Sequence, residues 1–561
     1  MRTAWQVGEQ IQGRWEIFKI LEGGAGVVYV VYDHAFRESF AAKTFRDEVF
    51  AASPLVADRF VCEALAWTRL DIHPNVAQAR MVEIIEGKPF LFLEYVSGGD
   101  LGSWIGTPRL MEDLPQLLQF AIQFCDGMNH LLSRGICAHR DIKPRNCLIT
   151  QDGLLKVTDF GLVKVVGEEE TFAHLPTGSG KAQDVRLTVG PVGTCTHMAP
   201  EQFSNPLEVD LRVDIYSFGV MLYQMVSGEL PFVGESWGEL EHLHKTRPAP
   251  YLTKADPRLA EVIQRCLEKD PTRRFSRFTQ LRDRLGEIFR SVTGSLYPAP
   301  VQGAALSAVE WNNKGSSLDN LGRRAESIAC YDSAIRLDPT LASAWFNKGV
   351  ALFATGNVTD ALLCYEEALK LNPNSEGAWS NKGVALKGLG KIQEAVKCYD
   401  RALSIHPRYP NAWLNKGVAL RVLGKNQEAL ACYERAVRLD PNNENAWTNM
   451  GNALYALGRP AEAIPCYERA LVLNPRLDVT WLNKGMALGA LKRHSEALEC
   501  YGNALQINPR MEKAWFLRGM ALVNGLQRYR EAVPYFEEAE RLGSREAKQA
   551  LTFCQDALAR Q

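Results

Sequence analysis

The chain has 561 residues, a formal net charge of −1 and an isoelectric point of about 6.8. This length exceeds what one hydrophobic core normally supports, so two or more domains are expected. The near-neutral charge gives no electrostatic basis for binding nucleic acid or an anionic membrane, and no apolar run reaches the roughly 20 residues of a membrane span. Because the N-terminus also lacks the apolar segment of a signal peptide, the sequence predicts a cytoplasmic protein.

A glycine-rich turn between two predicted strands is the first candidate site. The apolar runs Trp15–Leu21 and Val27–Tyr32 predict strands, and Gly23, Gly24 and Gly26 lie between them. Such a turn can place backbone N–H groups over the phosphates of ATP.

Two ionisable residues follow this turn. Lys43 ends a third predicted strand, and Glu63 lies in a predicted helix. A lysine that contacts phosphates needs an anionic partner to fix its direction, and Glu63 can supply one. Further along, Phe90–Val96 predicts a buried strand that runs into a glycine-rich corner at Gly98 and Gly99.

The segment His139–Asn146 carries the chemistry most directly. Asp141 can accept the proton of an attacking hydroxyl, Lys143 can neutralise charge on a moving phosphoryl group, and Asn146 can hold a metal ion. Asp159, which is followed by Phe and Gly, supplies a second metal ligand. This spacing predicts an enzyme of phosphoryl transfer.

With these motifs, residues from about Arg14 to Phe289 resemble a Ser/Thr protein kinase of the bacterial type. Two structural motifs agree with the resemblance: Ala199-Pro200-Glu201 with Arg274 as its ion-pair partner, and Asp214 as a brace for the catalytic loop. The resemblance implies a bilobal α+β fold, ATP and Mg²⁺ (or Mn²⁺) as cofactors, and protein substrates. Lys143 favours serine or threonine as the phosphate acceptor.

The resemblance also assigns roles to single residues. Asp141 and Lys143 would be catalytic, and Asn146 and Asp159 would bind the metal. The residues expected at ATP are Leu21, Gly23, Gly24, Gly26, Val28, Ala41, Lys43, Glu63, Leu93, Glu94 and Val96. The first glycine of the family's G-x-G-x-x-G turn falls on Leu21, which is a departure from the pattern. Leu93 would stand behind the adenine, and main-chain groups of Glu94 and Val96 would bind its edge.

A long polar segment from Leu162 to Met198 is expected to control activity. Arg140, directly before Asp141, could pair with a phosphate on this segment. Thr188 is the preferred phosphosite, and Thr194, Thr177 and Ser179 are alternatives. His197 stands where bacterial relatives usually have tyrosine, so the substrate side is expected to differ.

The C-terminal half is repetitive. Seven tryptophans follow a constant spacing of 34 residues: Trp311, Trp345, Trp379, Trp413, Trp447, Trp481 and Trp515. Each unit has the pattern of a helical hairpin, with glycine and alanine at close-approach positions and proline at its end. This half resembles a tetratricopeptide-repeat (TPR) array, which implies an all-α solenoid that binds peptide segments in its groove; the chain's own linker or a second copy of the chain is the alternative occupant. The apolar side chains predicted for the groove are Phe346, Val350, Phe353, Val384, Leu414, Val418, Tyr455, Leu482 and Met486.

Two side-chain series recur within these repeats. Six cysteines with the same spacing, Cys330, Cys364, Cys398, Cys432, Cys466 and Cys500, occupy equivalent positions and are predicted to be buried free thiols. A lysine precedes the glycine of most units, where TPR units usually have leucine. These lysines are predicted to form a structural ion-pair ladder with Asp332, Glu366, Asp400 and Glu434, and a ligand site is the alternative.

The sequence thus predicts a multidomain protein. It comprises an extension over residues 1–13, a kinase domain over 14–290 with its small lobe ending near 95, a linker over 291–307, seven repeats over 308–542 and a capping helix over 543–561. Two hypotheses for function follow. The chain is an active Ser/Thr kinase whose repeats recruit substrates or regulators, or it is an inactive kinase fold that acts as a scaffold. The presence of Lys43, Asp141 and Asp159 favours activity, and the sequence leaves homo-oligomers open.

Overall fold

The structure is a computed structural model that describes residues 5–22, 26–34, 36–46, 55–68, 70–159, 164–165, 192–204, 210–299 and 303–559. The chain forms two compact units, Met1–Pro339 and Thr340–Gln561. Within the described ranges, no helix is both long enough and apolar enough to cross a membrane.

An antiparallel sheet forms the small lobe of the first unit. Its strands are β1 (Gln10–Ile11), β2 (Trp15–Glu22), β3 (Gly26–Asp33), β4 (Glu38–Phe45), β5 (Ala79–Ile85) and β6 (Lys88–Glu94). The spatial order is β1-β2-β3-β4-β6-β5. Strand β5 therefore lies at the edge of the sheet, and β6, which follows it in sequence, lies between β4 and β5.

The two faces of this sheet differ because successive side chains along a strand point to opposite faces. On one face, Tyr29, Phe40, Phe90 and Phe92 pack into an apolar cluster of their own. On the other face, Leu91 and Leu93 join the core that continues into the large lobe. This second face carries the residues predicted to bind ATP.

Helix α1 (Leu55–Thr68) packs on the second face of the sheet. Phe60 meets Phe45 edge to face, with ring centroids 5.7 Å apart, and Ala64 and Trp67 are buried in the core. The helix thereby holds Glu63 on its buried side.

The large lobe is mainly helical. Its helices are α2 (Pro108–Met111), α3 (Leu114–Ser133), α4 (Arg212–Ser227), α5 (Trp237–Thr246), α6 (Pro257–Cys266) and α7 (Phe278–Thr293). Short strands β7 (Ile136–Ala138), β8 (Cys147–Ile149), β9 (Leu155–Val157) and β10 (Lys164–Val165) pair as β8 with β9 and β7 with β10. Most residues of helix α3 are buried, and its Phe124 stacks on Phe218 of α4 with ring centroids 4.5 Å apart.

The first repeat hairpin belongs to the first unit. It consists of α8 (Ala308–Asn320) and α9 (Arg324–Leu337). Ser307 caps α8 by accepting a hydrogen bond from Glu310 N–H, and Glu310 in turn accepts from Ser307 N–H. This reciprocal capping fixes where the helix begins.

All regular secondary structure in the described part of the second unit is α-helical. Its helices are α10 (Ala342–Ala354), α11 (Val358–Leu371), α12 (Glu376–Gly388), α13 (Ile392–Ile405), α14 (Pro410–Val422), α15 (Asn426–Leu439), α16 (Glu444–Ala456), α17 (Pro460–Leu473), α18 (Asp478–Ala490), α19 (His494–Ile507), α20 (Glu512–Leu526), α21 (Tyr529–Arg541) and α22 (Arg545–Ala559). They form successive hairpins, as the 34-residue spacing predicts, and α22 is the helix expected after the last repeat. The predicted α+β fold followed by helical repeats is confirmed.

Glycine allows close approach within each hairpin. A Cβ added at Gly417 would lie 2.6 Å from the ring of Tyr433, and the same holds at Gly349 for Tyr365. From Trp379 onward, the indole N–H of each periodic tryptophan donates to the carbonyl of the proline six residues earlier, as in Trp413 to Pro407 at 2.9 Å. The six periodic cysteines are buried free thiols, as predicted.

The predicted lysine ladder is present in the second unit. Lys382 pairs with Glu366 at 3.0 Å, Lys416 with Asp400 at 2.6 Å, and Lys484 with Glu468 at 2.9 Å. Each ammonium also lies 5.5–5.7 Å from the ring of the tryptophan three residues earlier. Glu434 departs from the prediction: Met450 occupies the lysine position of that unit, and Glu434 pairs with Arg438 instead.

Candidate active site

Residues predicted to bind ATP form a row across the small-lobe sheet. Leu21 of β2 pairs with Val28 of β3, and Val28 pairs with Lys43 of β4. Two residues along β4, Ala41 pairs with Leu93 of β6. Directly paired residues share a face of the sheet, and so do residues two apart on one strand. The row therefore lies on the face that turns toward the large lobe.

The glycine-rich turn is only partly described. Gly26 begins β3, and a Cβ there would lie 3.2 Å from the carbonyl oxygen of Thr44. Gly23 and Gly24 lie outside the described residues.

Lys43 joins the two lobes by contacting two acids. Its Nζ donates to Glu63 Oε1 at 2.7 Å and to Asp159 Oδ1 at 2.5 Å. Burial alone would lower the pKa of Lys43, but the charges of Asp159 and Glu63 raise it above its usual value. Lys43 is therefore a fixed ammonium between strand β4, helix α1 and the loop after β9.

The two acids differ in their surroundings. The Glu63 side chain is 5% exposed, and burial raises its pKa against the opposing effect of Lys43. The Asp159 side chain is 40% exposed. Burial of its carboxyl group acts to raise its pKa, but the charge of Lys43 is decisive and lowers it. Glu63 thus anchors the lysine, while Asp159 stays ionised at the open side of the site.

The catalytic loop brings Asp141, Lys143 and Asn146 together. Lys143 Nζ donates to Asp141 Oδ2 at 2.8 Å, and Asn146 Nδ2 donates to Asp141 O at 2.8 Å and to its Oδ2 at 3.1 Å. Because the amide nitrogen of Asn146 is used in this way, its amide oxygen is the atom directed away from Asp141 and suited to a metal ion.

Buried hydrogen bonds hold this loop in place. Asp214 of α4 is fully buried and accepts from His139 N–H at 2.7 Å and from Arg140 N–H at 2.8 Å. Burial raises the pKa of Asp214, and these two partners oppose that effect. His139 also lies 3.1 Å from Thr158 O, next to Asp159. Asp214 is therefore the brace that the sequence predicts.

Two residues of the site have strained backbones. Arg140 has φ 67° and Asp159 has φ 70°, in the left-handed region that favours glycine. Such a conformation costs about 1–3 kcal/mol and persists where surrounding contacts fix it. The surrounding contacts here are the hydrogen bond from Arg140 N–H to Asp214 and the ion pair between Lys43 and Asp159.

Glu94, at the end of strand β6, is predicted to contact adenine and is held by hydrogen bonds to neighbouring residues. Glu94 N–H donates to Gln78 O at 2.8 Å, and Gln78 N–H donates to Glu94 Oε1 at 2.8 Å. Lys156 also contacts Glu94 Oε1 at 2.8 Å. Since the N–H of Glu94 is already used, its carbonyl is the group left to face a ligand.

The acceptor side is described in part. Arg274 is buried and forms two bonds with Glu201, at 2.6 and 2.9 Å, so the predicted ion pair is present. His197 is 7% exposed and lies 2.9 Å from Thr196 Oγ1. Thr194 is in a short 3-10 helix, Val192–His197, whereas Thr188, Thr177 and Ser179 lie outside the described residues.

The structure thus forms two neighbouring groups, Lys43 with Glu63 and Asp159, and Asp141 with Lys143 and Asn146. The charge of Lys143 acts on Asp159 and so links the two groups. Sequence reasoning missed Gln78 and Lys156, which hold Glu94. Neither carries a motif, and their role depends on strand pairing alone. In the described part of the chain, no group of three or more His, Cys, Asp or Glu side chains could hold a metal by itself.

Comparisons with known proteins agree with this geometry. Residues 16–284 match the protein kinase domain family. Residues 312–376, 377–409, 398–431, 419–458, 444–477 and 479–511 match tetratricopeptide-repeat families.

Curated relatives match about half of the chain. A probable serine/threonine-protein kinase of Clostridium acetobutylicum is 29% identical over 287 residues, 50% of this chain and 41% of the relative. Serine/threonine-protein kinase Pkn1 of Myxococcus xanthus is 33% identical over 272 residues, 47% of this chain and 36% of the relative. Serine/threonine-protein kinase PknA of Corynebacterium glutamicum is 31% identical over 309 residues, 54% of this chain and 61% of the relative. In each case the chain spans less than two thirds of the relative's length.

Proposed function

We propose that this chain, which carries a protein kinase domain followed by tetratricopeptide repeats, is an ATP-dependent protein serine/threonine kinase. The observation that carries the proposal is the placement of Lys43 between Glu63 and Asp159, beside an Asp141 that is itself held by Lys143 and Asn146. The complete set of charged groups disfavours the alternative of an inactive scaffold.

Each charged group has a task in phosphoryl transfer. Lys43 would hold the α- and β-phosphates of ATP, since Glu63 fixes its direction. Asp141 would accept the proton of the attacking hydroxyl, and Lys143 would offset charge on the transferred phosphoryl group. The carbonyl of Glu94 and the N–H of Val96 would bind the adenine edge, with Leu93 behind the ring.

The oxygen donors of the site suit a hard divalent cation. Asp159 offers a carboxylate and Asn146 an amide oxygen, which are ligands that Mg²⁺ (or Mn²⁺) accepts together with phosphate oxygens. The bound cation would offset negative charge on the phosphates. Two protein ligands are enough for such a site, because water and ATP supply the rest.

The repeats would recruit protein substrates or regulators. Side chains predicted for the groove, such as Phe346, Val350, Leu414 and Val418, are partly buried. Leu414 and Val418 pack against the repeat core, so only part of each remains for a ligand. We propose a cytoplasmic location, with peptide segments of partner proteins as ligands of this groove.

Transfer of radiolabelled γ-phosphate from Mg-ATP to the purified full chain, and to serine- and tyrosine-containing peptides, tests the proposed function. Incorporation into the chain itself and into serine or threonine is the expected result. Mass spectrometry of the same sample locates the phosphate, and Thr188 is the site we propose. If no phosphate is transferred while ATP still binds, the scaffold alternative holds.

A further inference from the structure

The first repeat hairpin completes the open edge of the small-lobe sheet. Because β5 is an edge strand, backbone groups that face away from β6 need partners outside the sheet. Val82 N–H donates to Ser317 Oγ at 2.9 Å, and Asn320 Nδ2 donates to Val82 O at 2.8 Å. Val82 is 2% exposed and Ser317 3%, so water cannot replace these bonds.

These bonds lie at the end of a row that leads to the nucleotide site. Val82 pairs with Leu91 of β6, and Leu91 pairs with Lys43 of β4. Lys43 in turn pairs with Val28. Helix α8 therefore holds the outer end of the row in which Lys43 lies.

A second route joins α8 to the predicted adenine edge. Gln78 Nε2 donates to Glu310 Oε1 at 3.3 Å, and the backbone of Gln78 forms two hydrogen bonds with Glu94. Arg80 Nη1 lies 3.8 Å from the same carboxylate oxygen. Burial would raise the pKa of Glu310, but hydrogen bonds from Ser307 and Gln78 and the charge of Arg80 lower it. An ionised Glu310 is thus linked through one residue, Gln78, to Glu94 at the predicted adenine edge.

The hairpin also borders helix α1, which carries Glu63. Ala304 N–H donates to Ile72 O at 2.9 Å, shortly after α1 ends. A cavity of about 280 Å³ lies between the two, with Trp67 and Leu70 on one side and Leu306 and Val309 on the other. The contact between α1 and α8 is therefore incomplete, and the polar bonds to β5 are part of what attaches α8 to the small lobe.

Two polar residues of this contact, Ser317 and Glu310, occur at these positions only in the first repeat. At the position of Ser317, later repeats have alanine: Ala351, Ala385, Ala419, Ala453, Ala487 and Ala521. At the position of Glu310, later repeats have Ala344, Ala378, Ala412, Ala446, Thr480 and Ala514. Small residues suit a helix neighbour, whereas a strand edge needs hydrogen-bonding side chains. The first repeat therefore has the side chains that its different neighbour requires.

We infer that Ser317, Asn320 and Glu310 are positioning residues of the nucleotide site, which makes the first repeat hairpin a working part of the kinase. The inference rests on the proposed function. Loss of the bonds to Val82 would release the edge of β5 and, through Leu91, loosen the placement of Lys43. The defect should then appear in ATP binding before it appears in binding of the phosphate acceptor.

The test is a double variant of the full chain, Ser317→Ala with Asn320→Ala. We expect KM for ATP to rise about tenfold, in line with the loss of one or two buried hydrogen bonds, while KM for a peptide acceptor stays within about twofold. Hydrogen exchange of the β5 segment should become faster. Ser317→Thr keeps the hydroxyl and should retain near-normal KM for ATP.

Matched controls are available on other helices. Ser333 Oγ donates only within its own helix, to Ala329 O at 3.0 Å, and Asn449 Nδ2 donates to Asn445 O at 2.9 Å. Ser333→Ala with Asn449→Ala should leave KM for ATP and the exchange of β5 unchanged. Should the first double variant fail to fold, Glu310→Gln tests the same inference, with a smaller rise in KM for ATP.

The outcomes separate the two proposals. Faster exchange of β5 with unchanged kinetics would show that α8 braces the strand without positioning the site, and unchanged exchange would show that the bonds do not hold β5. Either result overturns the inference. A wild-type chain that transfers no phosphate would instead refute the proposed function. In that case, ATP affinity of the variants still decides the inference, and equal affinity overturns it.

Discussion

At the scale of single residues, the site separates fixed charges from accessible ones. Glu63 is buried on α1 and fixes Lys43, whereas Asp159 is 40% exposed and faces the cleft. Asp141 has the same arrangement, because Lys143 and Asn146 hold its carboxylate from within the loop. Each reactive acid is thus restrained by a neighbour that can remain in place when ligands bind.

Asp141→Asn should lower phosphate transfer by about 10²–10⁴-fold, the usual contribution of a positioned general base. ATP affinity should change by less than twofold, because the side chain keeps its size and its contacts with the loop. Asp159→Asn should also stop transfer, but because Mg²⁺ would then bind more weakly at the phosphates. Asp152→Asn, in an exposed turn, is the control. Near-normal transfer by the Asp141 variant would refute its role as base.

Two buried histidines predict a loss of stability in mild acid. Burial lowers the pKa of His197 to about 4 and that of His244 to about 3, whereas an unfolded histidine titrates near 6.5. Below pH 6.5 the unfolded chain therefore binds protons that the folded chain does not, and stability falls until the folded pKa is reached. At pH 5 each histidine should cost about 2 kcal/mol of unfolding free energy.

Calorimetry of the full chain at pH 7.5 and pH 5 measures this loss. The transition that ATP shifts upward identifies the kinase unit, because ligands stabilise the state that binds them. His244→Gln should flatten the pH dependence, whereas His242→Gln, on the exposed side of the same helix, should not. Equal pH dependence in the wild type and the His244 variant would contradict the prediction.

Sequence spacing and the resemblance to protein kinases predicted the residues that contact one another at the site, because phosphoryl transfer requires certain residue types at set intervals. It did not predict Gln78, which holds Glu94 through its backbone and Glu310 through its amide. Its position results from pairing between strands distant in sequence, and no local pattern encodes that.

At the scale of elements, the repeats depend on one close contact per hairpin. A tyrosine ring, or that of Phe536 in the last hairpin, lies 2.5–2.6 Å from where a glycine Cβ would be, so the two helices approach more closely than alanine would allow. This contact follows from the sequence period, which is why the hairpins were predictable. The contact between α8 and the edge strand β5 was less predictable from the sequence, although polar Glu310 and Ser317 stand where later repeats mostly have alanine. That departure was visible in the sequence, but the strand it meets was not.

Gly417→Ala should destabilise the repeats by about 1–3 kcal/mol, because the new methyl group would lie 2.6 Å from the Tyr433 ring. Gly388 is the matched control, since a Cβ there meets nothing within 4 Å. Gly388→Ala should leave stability unchanged or raise it by about 0.5 kcal/mol through higher helix propensity. Urea unfolding followed by circular dichroism at the helical band compares the two. Equal midpoints would show that the hairpin adjusts at no cost.

At the scale of the whole molecule, the boundary that matters for function need not coincide with the start of the repeats. The periodic sequence predicts a change of domain near residue 307, yet the compact units divide at Pro339 and Thr340. The first hairpin shares its period with the later repeats and its contacts with the small lobe. The sequence period reflects the packing within a hairpin. The element that packs against the hairpin determines which compact unit the hairpin stabilises.

Cutting the folded chain at this boundary should preserve catalysis. A protease site inserted between Pro339 and Thr340, both exposed, allows cleavage after folding. The released unit 1–339 should phosphorylate a serine peptide within about twofold of the uncut chain, because the row from Val82 to Lys43 stays complete. A chain that ends at Leu306 should lose at least about tenfold in kcat/KM for ATP, since Val82 then lacks both partners. Circular dichroism checks that the shorter chain is folded. If the chain ending at Leu306 were folded and as active as unit 1–339, the first hairpin would belong to the repeats alone, and the kinase would be complete without it.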